Sequence, residues 1–208
     1  KCSAFFLQPS RWEFMGLQSS CGRPLGFKED VDDSEYCQRI KQLTIEAAIA
    51  GRPQPQPAQL TTWGLYLGGM TEATNMTKLA ELGVSSWVNM ACSVCRYTPR
   101  GGAAAPESLE VDANDEESYP LLELHLARVE DFLLDQKRRG RKVLVHCFAG
   151  INRSGAICAA YLMRHEGYAL MAAVKWLILK RGYVLANAGF VEQLVRMARK
   201  EGKLDALS

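Results

Sequence analysis

The sequence predicts an α/β fold: a central, mainly parallel sheet flanked by helices, with one strand–loop–helix turn shaped to cradle a phosphate. Three observations carry this. From Leu65 to Lys200, short apolar runs alternate with longer stretches of helical periodicity. One run, Lys142-Val143-Leu144-Val145, is apolar after its first residue, as a strand buried on both faces requires. And 48% of the 208 residues are hydrophobic against 23% charged, which fits one packed core and argues against a disordered chain.

The elements follow in order. Residues 1–59 read as an N-terminal extension, and residues 60–208 as the main domain. Gly16, Gly22, Pro24 and Gly26 punctuate the opening, which reads as irregular. Tyr36, Ile40, Leu43 and Ala47 recur at helical spacing between Asp33 and Ala50, and Gly51 supplies a stop. Arg52-Pro53-Gln54-Pro55-Gln56-Pro57 cannot continue a helix and favours a stiff, extended linker.

Beyond Leu60, Leu65-Tyr66-Leu67 is a short strand. Met76 to Leu82 is a helix stopped at Gly83, and Val84 to Met90 a strand. Leu109 to Val111 reads as an edge strand. Ser118 and Pro120 open a helix with Leu122, Leu126, Val129 and Leu133 on one face, ended by Gly140. After the Lys142–Val145 strand, helices are expected over Ser154–His165, Leu170–Arg181 and Gly189–Lys200. Trp176 and Phe190 are expected in the core.

Bulk charge narrows the function. Twenty-five basic and 23 acidic residues leave a net charge of +2, with no basic arm in either half, so nothing marks a nucleic-acid binder. No run approaches the ~18 apolar residues of a membrane span. Seven cysteines, odd in number and without framework spacing, point to free thiols in a reducing, cytoplasmic compartment. Cys92-Ser93-Val94-Cys95 has C-x-x-C spacing but no second ligand pair, so it reads as two loop cysteines. Three scattered histidines without an acidic cluster imply no metal site. His125 and His165 read as ordinary helix residues.

One segment carries chemistry: Val143-Leu144-Val145-His146-Cys147-Phe148-Ala149-Gly150-Ile151-Asn152-Arg153-Ser154-Gly155. A buried strand ends in His-Cys, and Arg-Ser opens a helix six residues on. The intervening loop must curl so that the backbone N–H groups of Phe148, Ala149, Gly150, Ile151, Asn152 and Arg153 form an anion nest at a helix N-terminus. Gly150 admits the backbone angles this needs. The Arg153 fork matches two phosphate oxygens. The same positive surroundings favour a Cys147 thiolate, with its pKa expected below the ~8.5 of a free cysteine. A thiolate beneath a phosphate nest is a nucleophile aimed at phosphorus.

These residues resemble the H-C-x5-R-[ST] signature of cysteine-dependent protein tyrosine phosphatases. Leu65-Tyr66-Leu67-Gly68, Ala159-Ala160-Tyr161-Leu162-Met163 and Asn187-Ala188-Gly189-Phe190-Val191-Glu192-Gln193-Leu194 are similar to the dual-specificity branch. The resemblance covers about residues 60 to 203. It implies a catalytic domain over residues 60–208 that hydrolyses phosphotyrosine, phosphoserine and phosphothreonine on proteins through a phosphocysteine, without metal or organic cofactor. It also implies a general acid on the loop after the edge strand, matched by Asp115 among the neighbouring Asp112, Glu116 and Glu117. Ser154 would hydrogen-bond the Cys147 sulfur, and His146 would orient the loop.

Asn152 departs from the branch, which usually carries a small residue there. Gly-x-Asn-Arg also resembles the RNA 5′-triphosphatases of the superfamily, which makes that activity, acting on an RNA 5′ end, the runner-up, beside a phosphatase of lipid or other phosphate esters, which ranks lower because no Lys lies between Cys147 and Arg153. A phosphatase-like protein that binds phosphorylated partners without turnover is the non-enzyme alternative. Lys137-Arg138-Arg139-Gly140-Arg141-Lys142 reads first as a solvated helix end complementing the dipole. The sharper readings of this run are a docking patch for a kinase or a nuclear signal.

Overall fold

A computed structural model describes residues 31–51, 57–96 and 107–207. The expected irregular opening and the Pro/Gln run, apart from its last residue, lie outside them.

Among the described residues, five strands form one sheet: β1 (Ala58–Gln59), β2 (Leu65–Gly68), β3 (Val84–Asn89), β4 (Glu107–Glu110) and β5 (Lys142–His146). The order across the sheet is β1-β2-β5-β3-β4. β2, β5, β3 and β4 run parallel, and β1 is antiparallel at the edge. β5 lies in the middle, as its apolar composition requires. The helices are α1 (Asp33–Ile49), α2 (Met70–Thr74), α3 (Met76–Leu82), α4 (Leu121–Arg138), α5 (Arg153–His165), α6 (Leu170–Arg181) and α7 (Ala188–Lys200).

Side-chain alternation divides the sheet into two faces. Leu65, Leu67, Val88, Val143 and Val145 point into the larger core, shared with α1 and α4 to α7. Tyr66, Trp87 and Leu144 point the other way, against Ala73 of α2 and Leu79 of α3. The parallel strands end side by side at Gly68, His146, Asn89 and Glu110. In open α/β sheets the crevice beyond such ends is where ligands bind.

Several details differ from the expectations. The edge strand spans Glu107–Glu110, slightly earlier than Leu109–Val111, and the strand from Val84 stops at Asn89. β1 and α2, at two and five residues, are too short to show a period. Trp176 is only half-buried, its ring edge donating to Leu60 O at 2.9 Å and its face covered by Lys180. Phe190 is fully buried. Cys95 is a core residue, with its thiol pushed up chiefly by burial.

α1 is built into the same core. Tyr36 and Ile40 join the main cluster, and Thr44 Oγ1 donates to Val184 O at 3.1 Å. Tyr36 Oη donates to Asp205 O at 2.7 Å and Arg39 Nε to Leu207 O at 3.2 Å. The basic run at the end of α4 is engaged within the chain. Lys137 pairs with Glu166, Arg138 with Asp135, Arg139 with Glu107 and Asp135, and Arg141 with Glu107, while Lys142 Nζ donates to Leu82 O. No described helix is long and apolar enough to cross a membrane.

Candidate active site

The turn from β5 to α5 is the focus. Cys147 follows the last residue of β5 and is 1% exposed. Its Sγ accepts from the Gly150 N–H at 3.3 Å and the Ser154 hydroxyl at 3.2 Å. Both donors point at the sulfur from the start of α5 and the loop before it.

The loop carbonyls explain how its amides come to face inward. Cys147 O accepts from His146 Nδ1 at 3.3 Å, Phe148 O from Met70 N at 2.9 Å, Ala149 O from Arg181 Nη2 at 3.2 Å and Ile151 O from Leu185 N at 3.1 Å. Each partner lies outside the loop and holds a carbonyl there. Peptide planarity then turns the N–H of the following residue the opposite way. This applies to Phe148, Ala149, Gly150 and Asn152. The Gly150 N–H, which reaches the Cys147 sulfur, identifies that side as the inside of the loop.

Gly150 is required on two counts. Its φ is +70°, and a Cβ there would lie 2.5 Å from Gly68 C and O. Behind the loop stands a buried ion pair. Arg181, 2% exposed, donates through Nη1 to Glu72 Oε1 at 2.7 Å, and Glu72 Oε2 accepts the Gly69 N–H at 2.7 Å. Burial works against the Glu72 charge, yet the Arg181 hydrogen bond and charge, with the Gly69 N–H, hold its carboxyl below the ordinary value. Neither residue stood out in the sequence. Arg181 resembled one more cation at a helix end, although its spacing from Val174 and Leu177 places it on the buried face.

His146 is wholly buried, and its pKa is lowered to about 4, chiefly by burial. It is neutral at physiological pH and donates through Nδ1 to the Cys147 carbonyl, a structural arrangement.

Arg153, the first residue of α5, donates through Nη1 to Ala113 O at 3.0 Å, and its Nε lies 3.5 Å from Asp115 Oδ2. Among the described residues Asp115 is the carboxylate paired with Arg153; Asp112, Glu116 and Glu117 are exposed on the same loop. The fold therefore puts Ser154 on the Cys147 sulfur and pairs Arg153, the residue before Ser154, with Asp115. Asn152 Oδ1 accepts the backbone N–H groups of Ala186, at 2.9 Å, and Asn187, at 3.1 Å. This accounts physically for a long polar side chain where a small one was expected. Phe148 is 55% exposed at the rim. His125 Nε2 lies 2.6 Å from the Tyr119 hydroxyl, and His165 pairs with Glu130; both stand on helices as expected. Among the described residues no cluster of three or more His, Cys, Asp or Glu could hold a metal ion.

The comparisons agree with this geometry. The family described as dual specificity phosphatase, catalytic domain, matches residues 65–200. Dual specificity protein phosphatase 26 of Rattus norvegicus is 34% identical over 141 residues, 66% of this chain and 65% of that protein, so the chain spans slightly under two thirds of this relative's length. Dual specificity protein phosphatase 1 of Arabidopsis thaliana is 36% identical over 150 residues, 72% of this chain and 73% of that one. The crystal structure of human DUSP28 superposes with a TM-score of 0.62 at 30% identity, covering 71% of this chain and 96% of that one. A family match that takes in the cysteine turn, the loop of Asp115 and the helices around them leaves one assignment: the chain belongs to the dual specificity phosphatase family.

Proposed function

We propose that this chain is a protein phosphatase that removes phosphate from phosphotyrosine and from phosphoserine or phosphothreonine, with Cys147 as nucleophile. The observation that carries the reading is the Cys147 sulfur accepting from the Gly150 N–H and the Ser154 hydroxyl, with Arg153, next to Ser154, paired to Asp115.

The steps follow from the groups present. Arg153 and the loop N–H groups hold the non-bridging oxygens of the phosphate. The Cys147 thiolate attacks phosphorus in line. As the P–O bond to the substrate breaks, Asp115 gives its proton to the leaving oxygen. The product of this step is a phosphocysteine. Water then attacks phosphorus and passes a proton to Asp115. The S–P bond breaks, and the electron pair returns to sulfur, where the Ser154 hydroxyl and Gly150 N–H stabilise it. Inorganic phosphate leaves. His146 supports the loop and takes no proton. Phosphorylated proteins are the partners this chemistry requires. The five described cysteines are free thiols, which suits a reducing, cytoplasmic setting.

The test compares hydrolysis of phosphotyrosine peptide, phosphothreonine peptide and 5′-triphosphate RNA by the native chain. Cys147→Ser should abolish turnover and still bind tungstate, the oxyanion with which a mouse putative dual specificity phosphatase, 28% identical, was crystallised. Arg153→Ala should lose both. Turnover of the RNA alone would transfer the reading to a 5′-triphosphatase. Peptide binding without turnover would make the chain a phosphoprotein binder.

A further inference from the structure

The first two turns of α7 face the loop that carries Asp115, and three of their residues touch it. Asn187, the cap of α7, donates through Nδ2 to Asp115 Oδ1 at 3.0 Å and to Asp115 O at 3.3 Å. Gly189 has no room for a side chain, because a Cβ there would stand 1.8 Å from Glu117 O. Gln193 uses both ends of its amide: Oε1 accepts the Leu122 N–H at 3.0 Å, and Nε2 donates to Tyr119 O at 2.8 Å. The contacts run in step, with successive positions along the helix meeting successive positions along the loop.

This bracket is fastened to the phosphate loop. Asn152, directly before Arg153, accepts the N–H groups of both Ala186 and Asn187. The orientation of the Asn187 amide is itself determined. Its Oδ1 accepts the Phe190 N–H at 3.1 Å, so its NH2 end must face Asp115. An NH2 group only donates. Asp115 Oδ1 therefore accepts from Asn187, while Oδ2 lies 3.5 Å from Arg153 Nε.

We infer that Asn187 is a positioning residue for the general acid, fixing the Asp115 carboxyl in place, while Asn152, Gly189 and Gln193 hold Asn187 and the acid loop in register with the phosphate loop. The inference rests on Asp115 being the acid.

The test uses Asn187→Ser, which keeps a helix cap and removes the amide donor. Activity is compared on 4-nitrophenyl phosphate, whose leaving group needs little protonation, and on a phosphoserine peptide, whose leaving group needs it fully. Acid catalysis is worth ~10²–10⁴-fold. A displaced acid should lower kcat on the peptide about tenfold while leaving the aryl phosphate within about twofold. In an Asp115→Asn background, the same change should have no further effect. Equal losses on both substrates, or an undiminished loss beside Asp115→Asn, would overturn the inference while leaving the acid reading intact. If Asp115→Asn alone affects both substrates equally, the acid reading falls and the inference with it. Melting curves check folding. Should Asn187→Ser melt below the assay temperature, Gln193→Leu carries the same comparison, since it frees the loop and spares the cap.

Discussion

The Ser154 hydroxyl donates to Cys147 Sγ at 3.2 Å, from the first turn of α5. This bond is strongest when the sulfur is an anion, so it should matter most when the thiolate is expelled from the phosphocysteine. A hydrogen bond to a charged group contributes ~1.5–3 kcal/mol. Ser154→Ala should therefore lower kcat about tenfold to hundredfold, with an initial burst of leaving group equal to the enzyme concentration. Rapid-mixing kinetics on an aryl phosphate reads this directly. A slow first turnover without a burst would move the role of Ser154 to the attack step.

The Arg181–Glu72 pair should behave as a unit. Removing one partner of a buried pair costs ~3–5 kcal/mol, because the other charge is left stranded, whereas removing both costs far less. Arg181→Met should thus destabilise the protein more than Arg181→Met combined with Glu72→Gln. Both variants lose the donor to Ala149 O, so both should bind vanadate more weakly than the native chain. Urea titrations and vanadate inhibition separate the two effects. Additive stability losses would contradict the coupling.

Gly150 admits no substitute. Gly150→Ala combines a left-handed backbone, costing ~1–3 kcal/mol, with an overlap against Gly68. The loop must shift to relieve it, so vanadate affinity should fall by at least about tenfold. An unchanged inhibition constant would mean that the oxyanion does not sit against these amides.

His146 makes stability depend on pH. Its folded-state pKa is lowered from 6.5 to about 4, so between those values the unfolded chain binds the extra proton. The stability is fully present above pH 6.5 and is lost as pH falls toward 4, by up to about 3 kcal/mol for one buried imidazole. Between pH 7 and 5 the native chain should lose roughly 2 kcal/mol that His146→Gln does not lose. Urea unfolding at both pH values measures the difference, and identical losses would assign the acid sensitivity to other groups.

What the sequence made legible, and what it hid, divides by distance along the chain. The loop from Cys147 to Ser154 is contiguous, so residue types and spacing were enough to infer its curl. The sheet and the long helices were readable because their periods persist for several turns or lie in an unbroken apolar run. The residues that hold the loop from outside were not readable. Arg181 meets Ala149 across 32 positions and Glu72 across 109, and Asn187 meets Asp115 across 72. No local pattern encodes such pairings. Asn152 was visible only as an anomaly, because its partners, the amides of Ala186 and Asn187, carry no side-chain signature.

Near its two ends the described chain leans on itself. Arg199 of α7 pairs with Asp33 and donates to Val31 O, and Tyr36 and Arg39 take up the carbonyls of Asp205 and Leu207. The Asp205 carboxylate in turn accepts the N–H groups of Met171 and Ala172, so Tyr36 and the start of α6 share one partner residue. α6 ends at Arg181, beneath the cysteine loop. Trimming α1 would therefore do more than shorten the protein: it would remove a partner of Asp205, on which α6 is moored, and α6 is the helix whose far end holds the Ala149 carbonyl of the cysteine loop.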